Sequence, residues 1–229
     1  STTTSLIAHI LKETGKSVEV GGNLGIPVMD LKPLPQDGTY VLEVSSYQLE
    51  TAPSLHFNIS ILLNITPDNM ERHGGFEGYV EAKRLIFKNA TAQDTLVISV
   101  DDEPCRKIYE ELKASSQVRL IPISVTQDLA EGISVIDGLL FENDTPIVNL
   151  NPFDPLRGTH NWQNVAAAYG ALRARGLQSQ EIMSGIASFP GLAHRQEIIA
   201  CHHNVLFVND SKATNAEAVE KVFNSYPEA

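Results

Sequence analysis

Positive charge, cysteine and long apolar runs are all scarce in this chain of 229 residues. Lysine and arginine number 17 against 28 aspartates and glutamates, a formal balance of −11. A protein that grips a phosphate backbone needs a basic face, so this balance argues against nucleic acid as a partner. It leaves room for a small anionic ligand held by a few local cations. Only two cysteines occur, Cys105 and Cys201, far apart and without metal-type spacing. They read as free thiols in a reducing compartment. No apolar run is long enough to span a bilayer, and no charged-then-apolar leader opens the chain, so a cytoplasmic protein without a membrane partner is expected. The 42% hydrophobic and 20% charged content is that of an ordinary folded protein.

What is present is an alternation of short apolar runs with helical patterns. "SVEV", "TYVLEVS", "ISILLNI", "TLVISV" and "VRLIPISV" are rich in Val and Ile and bounded by polar, Gly or Pro turns, as buried strands are. Helical periodicity lies between several of them, over residues 3–14, "GYVEAKRLIFKNA" and "EPCRKIYEELKA". The class expected is α/β, a mainly parallel sheet with flanking helices. Residues 131–150 differ, with "DG" and "NDTP" turns joining short alternating runs into a small antiparallel meander. A helix carrying Trp162, Val165, Ala166, Tyr169 and Leu172 runs to Gly176, and a second covers Ser179 to Ala187. "SFPGLAHRQE" is the best domain boundary, giving 1–191 and 192–229, with a strand pair in "EIIACHHNVLFVNDS" beyond it. Both ends look cut.

The chain opens on "STTTSLIAHILKETGK", in which the small hydroxyl residues of "STTT" run into an amphipathic helix. Alone, this is a frayed cap; alternatively Ser1 closes a phosphate-binding G-x-x-x-x-G-K-[ST] loop. Glu43 sits within "YVLEVSSYQLE", a run that otherwise reads as a central strand, its flanking Val and Leu making an exposed edge the weaker reading. A carboxylate at the C-terminal end of a parallel strand lies where open α/β sheets bind ligands, and beside phosphates it suits Mg²⁺. "GGNLGIP" reads as a turn, with Asn23 as a polar contact if a ligand approaches. Lys83 lies on an apolar-patterned helix between Val80 and Leu85. Burial favours the neutral amine, which can take up CO₂ as a carbamate, although a surface lysine is the plainer reading of the spacing. "FPGLAHRQE" and "NDSKATN" gather His194, Arg195, Asp210, Lys212 and Thr214 at the boundary, either as phosphate and ribose contacts or as a capped helix start.

In order along the chain, "STTT", "VGGNLG", "YVLEVSSYQLE", "LNITPDNMERH", "EAKRLIF", "GTHNWQN", "FPGLAHRQE" and "NDSKATN" resemble the Mur ligase family of ATP-dependent peptidoglycan ligases. The serine-rich stretch after Glu43 and "NDSKATN" point to the member that adds D-glutamate. The resemblance implies a P-loop ATPase-like central domain followed by the start of a Rossmann-like C-terminal domain. It implies ATP, Mg²⁺ (two ions) and a carbamate on Lys83 as cofactors, and UDP-N-acetylmuramoyl-L-alanine and D-glutamate as small-molecule partners of a monomeric enzyme. It places Ser1 and Thr2 at Mg²⁺ and the ATP phosphates, Glu43 on magnesium, and carbamylated Lys83 at a second metal. Asn23 and Ser45 would lie along the muramoyl substrate, Asn164 at adenine, Arg195 at the phosphates and Asp210 at the ribose. Lys212 and Thr214 would lie near the phosphates and the incoming glutamate. Where the family has Asp-His, this chain has Asp68-Asn69, so Asn69 replaces an imidazole by a neutral amide and weakens the second metal site; nothing in the spacing makes nearby His73 a substitute. The 229 residues alone are expected to be inactive. A folylpolyglutamate synthase-like ligase and a non-catalytic nucleotide-binding module are the alternatives.

Overall fold

Strand Thr95–Ser99 is buried along its whole length, which requires cover on both faces of the sheet. Its side chains alternate accordingly. Val97 joins Ile121, Ile123 and Ile133 in the larger core, while Leu96, Ile98 and Leu120 pack into a second cluster. The structure is a computed structural model. It describes every residue except Leu24, Asp68, Asn69, Asn204, Thr214, Asn215 and 227–229, and it gives no side-chain detail for Met70, 216–218 and Lys221.

The described elements run α1 (Thr2–Glu13), β1 (Val18–Gly22), β2 (Thr39–Glu43), α2 (Ser46–Thr51), β3 (Ile59–Leu62), α3 (Phe76–Arg84), β4 (Thr95–Ser99), α4 (Glu103–Ser115) and β5 (Arg119–Ser124). There follow β6 (Ile133–Ile136), β7 (Leu139–Glu142), β8 (Thr145–Asn149), α5 (Thr159–Ala174), α6 (Ser179–Ser188), β9 (Glu197–His202), β10 (Val205–Asn209) and α7 (Ala216–Ser225). Six strands form one sheet in the order β3-β4-β5-β6-β7-β8, parallel from β3 to β6 and antiparallel thereafter. The expected meander is therefore real, but it extends the parallel sheet instead of standing apart. The hairpin expected after residue 196 is β9–β10.

One expectation is corrected. Strand β2 is not central: among the described residues it pairs only with β1, in a parallel two-stranded sheet. Between this pair and β3 lies an apolar cleft lined by Ile7, Leu11, Val41, Ile59, Ile61 and Leu172, among others. The runs that read as one class of buried strand thus fall into two sheets, because local pattern reports burial and not partner.

Helix α5 packs against β3, β4, β5 and β6, and its buried Ala166, Ala167, Ala168 and Gly170 let it lie close to them. A Cβ on Gly170 would come within 3.3 Å of Ile121. Tyr169 is fully buried, and its hydroxyl reaches Glu142 and Ser179, each at 2.8 Å. Burial pushes this phenol up to about 12. Helix α1 rests on α5 and α6. Among the described residues no helix is long and apolar enough to cross a membrane, and both cysteines are free, Cys105 buried and Cys201 exposed.

Gly185 sets the α1–α6 spacing, since a Cβ there would lie 2.7 Å from Ile10 Cγ1 and 3.1 Å from its Cβ. Glycine to alanine inside a helix ordinarily gains about 0.5–1 kcal/mol. Here Ile10 has no room to move, so Gly185→Ala is expected to destabilise by about 1–3 kcal/mol in urea unfolding. Combined with Ile10→Ala, which removes both Cγ atoms, it should cost less than the two singles together, and a stabilised single variant would contradict this packing.

Candidate functional site

The first turn of α1 meets the end of β2. Helix N-termini carry unpaired backbone N–H groups and partial positive charge, which draw anions. Ser1 stands at the N-cap position, yet its side chain makes no capping hydrogen bond. Its backbone nitrogen lies 2.8 Å from Glu43 Oε2, and its hydroxyl accepts from Arg195 Nη2 at 3.2 Å. Burial alone would raise the Glu43 pKa. Hydrogen bonds from the Ser1 hydroxyl and the Asn23 amide act the other way and favour the charged form.

The backbone around Glu43 is equally constrained. Gly22 pairs with Glu43 across the strands, and a Cβ on Gly22 would fall 2.3 Å from the Glu43 carbonyl oxygen. Its φ of 99° also favours glycine. This close approach lets Asn23 donate its N–H to the Glu43 carbonyl at 2.6 Å and its side-chain amide to Oε1 at 3.4 Å. Beyond Glu43, Ser45 caps α2 in a reciprocal box with Gln48.

A second wall is built by α5 and the segment after α6. Thr3 Oγ1 donates to Asn164 Oδ1 at 2.7 Å, and Asn164 Nδ2 donates to Asn161 Oδ1 at 3.2 Å. Asn161 in turn donates to the Arg157 carbonyl at 3.0 Å. Opposite, the Gln196 N–H donates to Asp210 Oδ1 at 2.9 Å, and the Gln196 amide meets the His160 ring at 2.7 Å. Gln196 is only 4% exposed and holds φ at 46°, a strained value for a side-chain-bearing residue. Ser1, Thr2, Asn161, Asn164, Arg195, Gln196, Asp210 and Lys212 line one cleft together with Pro155, Phe189 and Leu192. Polar groups of both charge signs thus face a partly apolar cavity beside a helix N-terminus. That suits a ligand with an anionic end and a flat, apolar end.

The model for the Mur ligase middle domain matches residues 1–172. The chain belongs to the Mur ligase family. It is 50% identical over 226 residues to the UDP-N-acetylmuramoylalanine–D-glutamate ligase of Paramagnetospirillum magneticum, covering 99% of this chain and 49% of that protein. It is 46% identical over 230 residues to the ligase of the same name from Rhodospirillum rubrum, covering 99% and 48%. The chain spans about half the length of the curated relatives it matches. Among solved structures, a UDP-N-acetylmuramoyl-L-alanyl-D-glutamate–2,6-diaminopimelate ligase superposes with a TM-score of 0.76 at 23% identity, over 99% of this chain and 51% of the other. The D-alanyl-D-alanyl-adding ligase of Acinetobacter baumannii gives 0.74 at 20%, over 100% and 52%. At these identities the structures show the fold alone.

Within this Mur ligase chain the sequence-derived candidates separate into groups. Ser1, Thr2, Asn164, Arg195, Asp210 and Lys212 share the cleft wall. Glu43 and Asn23 adjoin it through Ser1, and Ser45 follows on the capped corner. Lys83 lies on α3 with its ammonium 5.3 Å from the Tyr79 ring centre, and it is on neither cleft that Ser1 lines. Asn69 and Thr214 lie outside the described residues. Sequence reasoning passed over Gln196, His160 and Asn161. Asn161 had a usable signal, since it lies three residues before Asn164 on one helix face. Gln196 had none, because its position depends on a left-handed backbone and on Asp210.

Replacing Asn164 by Ala should remove the acceptor of the Thr3 hydroxyl and the donor to Asn161 Oδ1 and cost about 1–3 kcal/mol. Urea unfolding of the 229-residue chain reads this directly. Thr3→Val combined with Asn164→Ala should cost less than the two singles together, because both cut one hydrogen-bond chain. Strict additivity would break the link assigned between α1 and α5.

Proposed function

We propose that this chain is the ATP-binding core of a ligase that joins D-glutamate to UDP-N-acetylmuramoyl-L-alanine in cytoplasmic peptidoglycan precursor synthesis. The observation that carries the reading is the single cleft in which the α1 N-terminus, Asn164, Arg195, Asp210 and Lys212 face one another, with Glu43 at its edge. The names of the two relatives state the reaction. The domain junction is placed at residues 191 and 192, within the segment that completes the cleft, and the enzyme is read as a monomer.

The donor set fits magnesium. Glu43 and Ser1 offer a carboxylate and a hydroxyl, hard oxygen ligands, and Glu43 Oε2 is buried with no hydrogen-bond partner of its own. Among the described residues no three His, Cys, Asp or Glu side chains form a metal cluster. Such a site therefore suits an ion that keeps phosphate oxygens and water. When bound, Mg²⁺ supplies charge neutralisation between the substrate carboxylate and the ATP phosphates. Carbamylated Lys83 is proposed to support a second ion, and Asn69 to contribute weakly there.

The chain's own groups then have distinct tasks. Asn164 orients the adenine, and Asp210 accepts from a ribose hydroxyl. Arg195 and Lys212 offset the phosphate charge, Arg through a planar fork and Lys as a mobile point charge. Asn23 and Ser45 align the muramoyl substrate, and Thr214 the glutamate. With these held, the terminal carboxylate oxygen of the substrate attacks the γ-phosphorus, the bond to the β,γ-bridging oxygen breaks, and ADP leaves. The amine of D-glutamate then attacks the acyl phosphate carbon, loses a proton, and expels inorganic phosphate as the amide forms. Positioning and electrostatics account for most of such catalysis.

The test uses the full-length protein and follows ADP release with UDP-N-acetylmuramoyl-L-alanine, with and without D-glutamate. Phosphate-coupled turnover should require both, and Glu43→Gln should lower kcat by about 10²-fold or more while the fold persists. Turnover with a folate and L-glutamate instead would select the folylpolyglutamate synthase-like alternative. ATP binding with no acceptor-dependent turnover would select the non-catalytic module. A carbamate carbon resonance after incubation with ¹³C-bicarbonate, lost in Lys83→Arg, tests the lysine.

A further inference from the structure

His73 ends the 3₁₀ turn Met70–His73, and its side chain is only 1% exposed. Its Nδ1 lies 3.1 Å from Glu50 Oε1, and its Nε2 lies 3.1 Å from Ser46 Oγ. A carboxylate can only accept, so Nδ1 carries the proton and donates to Glu50. In the neutral ring Nε2 is then the acceptor, and the Ser46 hydroxyl donates to it. Ser46 is itself 5% exposed and lies three residues beyond Glu43, in the first turn of α2. Both polar edges of a buried ring are thus committed to α2. Losing either partner would leave an unpaired group away from water.

The faces of the ring are committed as well. Tyr47 stacks against it with centroids 5.2 Å apart and planes 13° from parallel. Tyr79 of α3 packs on it at 5.5 Å and 42°. The same Tyr79 ring has the Lys83 ammonium 5.3 Å from its centre. The backbone repeats the message: a Cβ on Gly78 would fall 1.8 Å from the His73 carbonyl oxygen, so α3 presses directly on this turn. His73 therefore joins two elements that sequence reasoning credited separately. Through Ser46 it holds the corner that carries Glu43, and through Tyr79 it holds the helix that carries Lys83.

We propose that His73 is a positioning residue, a buried clamp that fixes the Glu43 corner and the Lys83 helix relative to each other and so sets the affinity of the divalent-cation site. It rests on the ligase reading given above for the identity of that site. The clamp acts through hydrogen bonds and packing and touches neither substrate nor metal. A phenylalanine keeps the bulk and the stacking but removes both hydrogen bonds. Glutamine places an amide near the Nε2 position and asparagine near Nδ1, so only glutamine can restore the Ser46 link.

The experiment uses the full-length protein and two readouts. One is Mn²⁺ binding without nucleotide, followed by electron paramagnetic resonance; the other is the Mg²⁺ dependence of ADP release. His73→Phe is expected to weaken Mn²⁺ binding and raise the Mg²⁺ midpoint by about tenfold, the scale seen when a partner behind a metal ligand is lost. The KM for D-glutamate should stay within about twofold, as a group acting only through the cation site requires. Ser46→Ala should reproduce the defect, the double variant should be no worse than either single, and His73→Gln should recover more than His73→Asn. If His73→Phe fails to fold, Ser46→Ala and His73→Gln decide the matter. Unchanged Mn²⁺ affinity in folded variants, or independent effects of His73 and Ser46, would overturn the clamp. Failure of the ligase reading has a separate signature: wild-type protein without D-glutamate-dependent ADP release, whatever the Mn²⁺ comparison shows.

Discussion

A carboxylate drawn half out of water needs hydrogen-bond donors or a cation to keep its charge, and the placement of Glu43 answers that need. Strand β2 delivers it to the N-terminal turn of α1, 2.8 Å from the Ser1 backbone nitrogen, with the Asn23 amide on its other oxygen. Everything near it serves that placement. Gly22 permits the strand approach, Asn23 takes up both the carbonyl and a carboxylate oxygen, and the Ser45–Gln48 box turns the chain sharply into α2. The result is an anionic group beside a helix terminus that also attracts anions. Such a pairing is favourable chiefly when a small hard cation and a phosphate complete it.

The opposite wall solves a different problem. A ligand cleft must expose polar groups without leaving them to relax onto one another. Here Thr3, Asn164 and Asn161 form a directed chain that ends on a backbone carbonyl, so each amide has a defined orientation. Gln196 is held in a left-handed conformation by Asp210 and His160, and strain of this kind persists where surrounding contacts over-determine it. The adjoining apolar residues Phe189 and Leu192 exclude water from part of the same cavity, which strengthens the electrostatics of the rest. His73 extends the logic beyond the cleft, where a buried polar ring replaces a flexible contact with a fixed one.

Periodicity made much of this legible. Strand β4 announced itself by an unbroken apolar run, and α5 by Trp162, Val165, Ala166, Tyr169 and Leu172 on one stripe. The acid in β2 was conspicuous because carboxylates are costly inside apolar runs. The division into two sheets was not legible, since β2 and β4 share one local pattern while their partners lie far away in sequence. His73 was invisible for a related reason. Nothing in "NMERHGG" distinguishes a solvated histidine from one enclosed by Tyr47 and Tyr79, because the enclosing rings come from α2 and α3.

The linear order of residues was enough to determine the α/β class, the strands and helices that carry the chemistry, and the family. These follow from hydrophobic period and from motifs whose members lie within a few residues of each other. Tertiary structure alone decided which of those motifs share a wall, which face of each strand is paired, and which polar side chains spend their hydrogen bonds inside the protein. Those outcomes depend on contacts between residues as distant as Thr3 and Asn164. The chain can bring such groups together only once the sheet and its covering helices have fixed their relative positions.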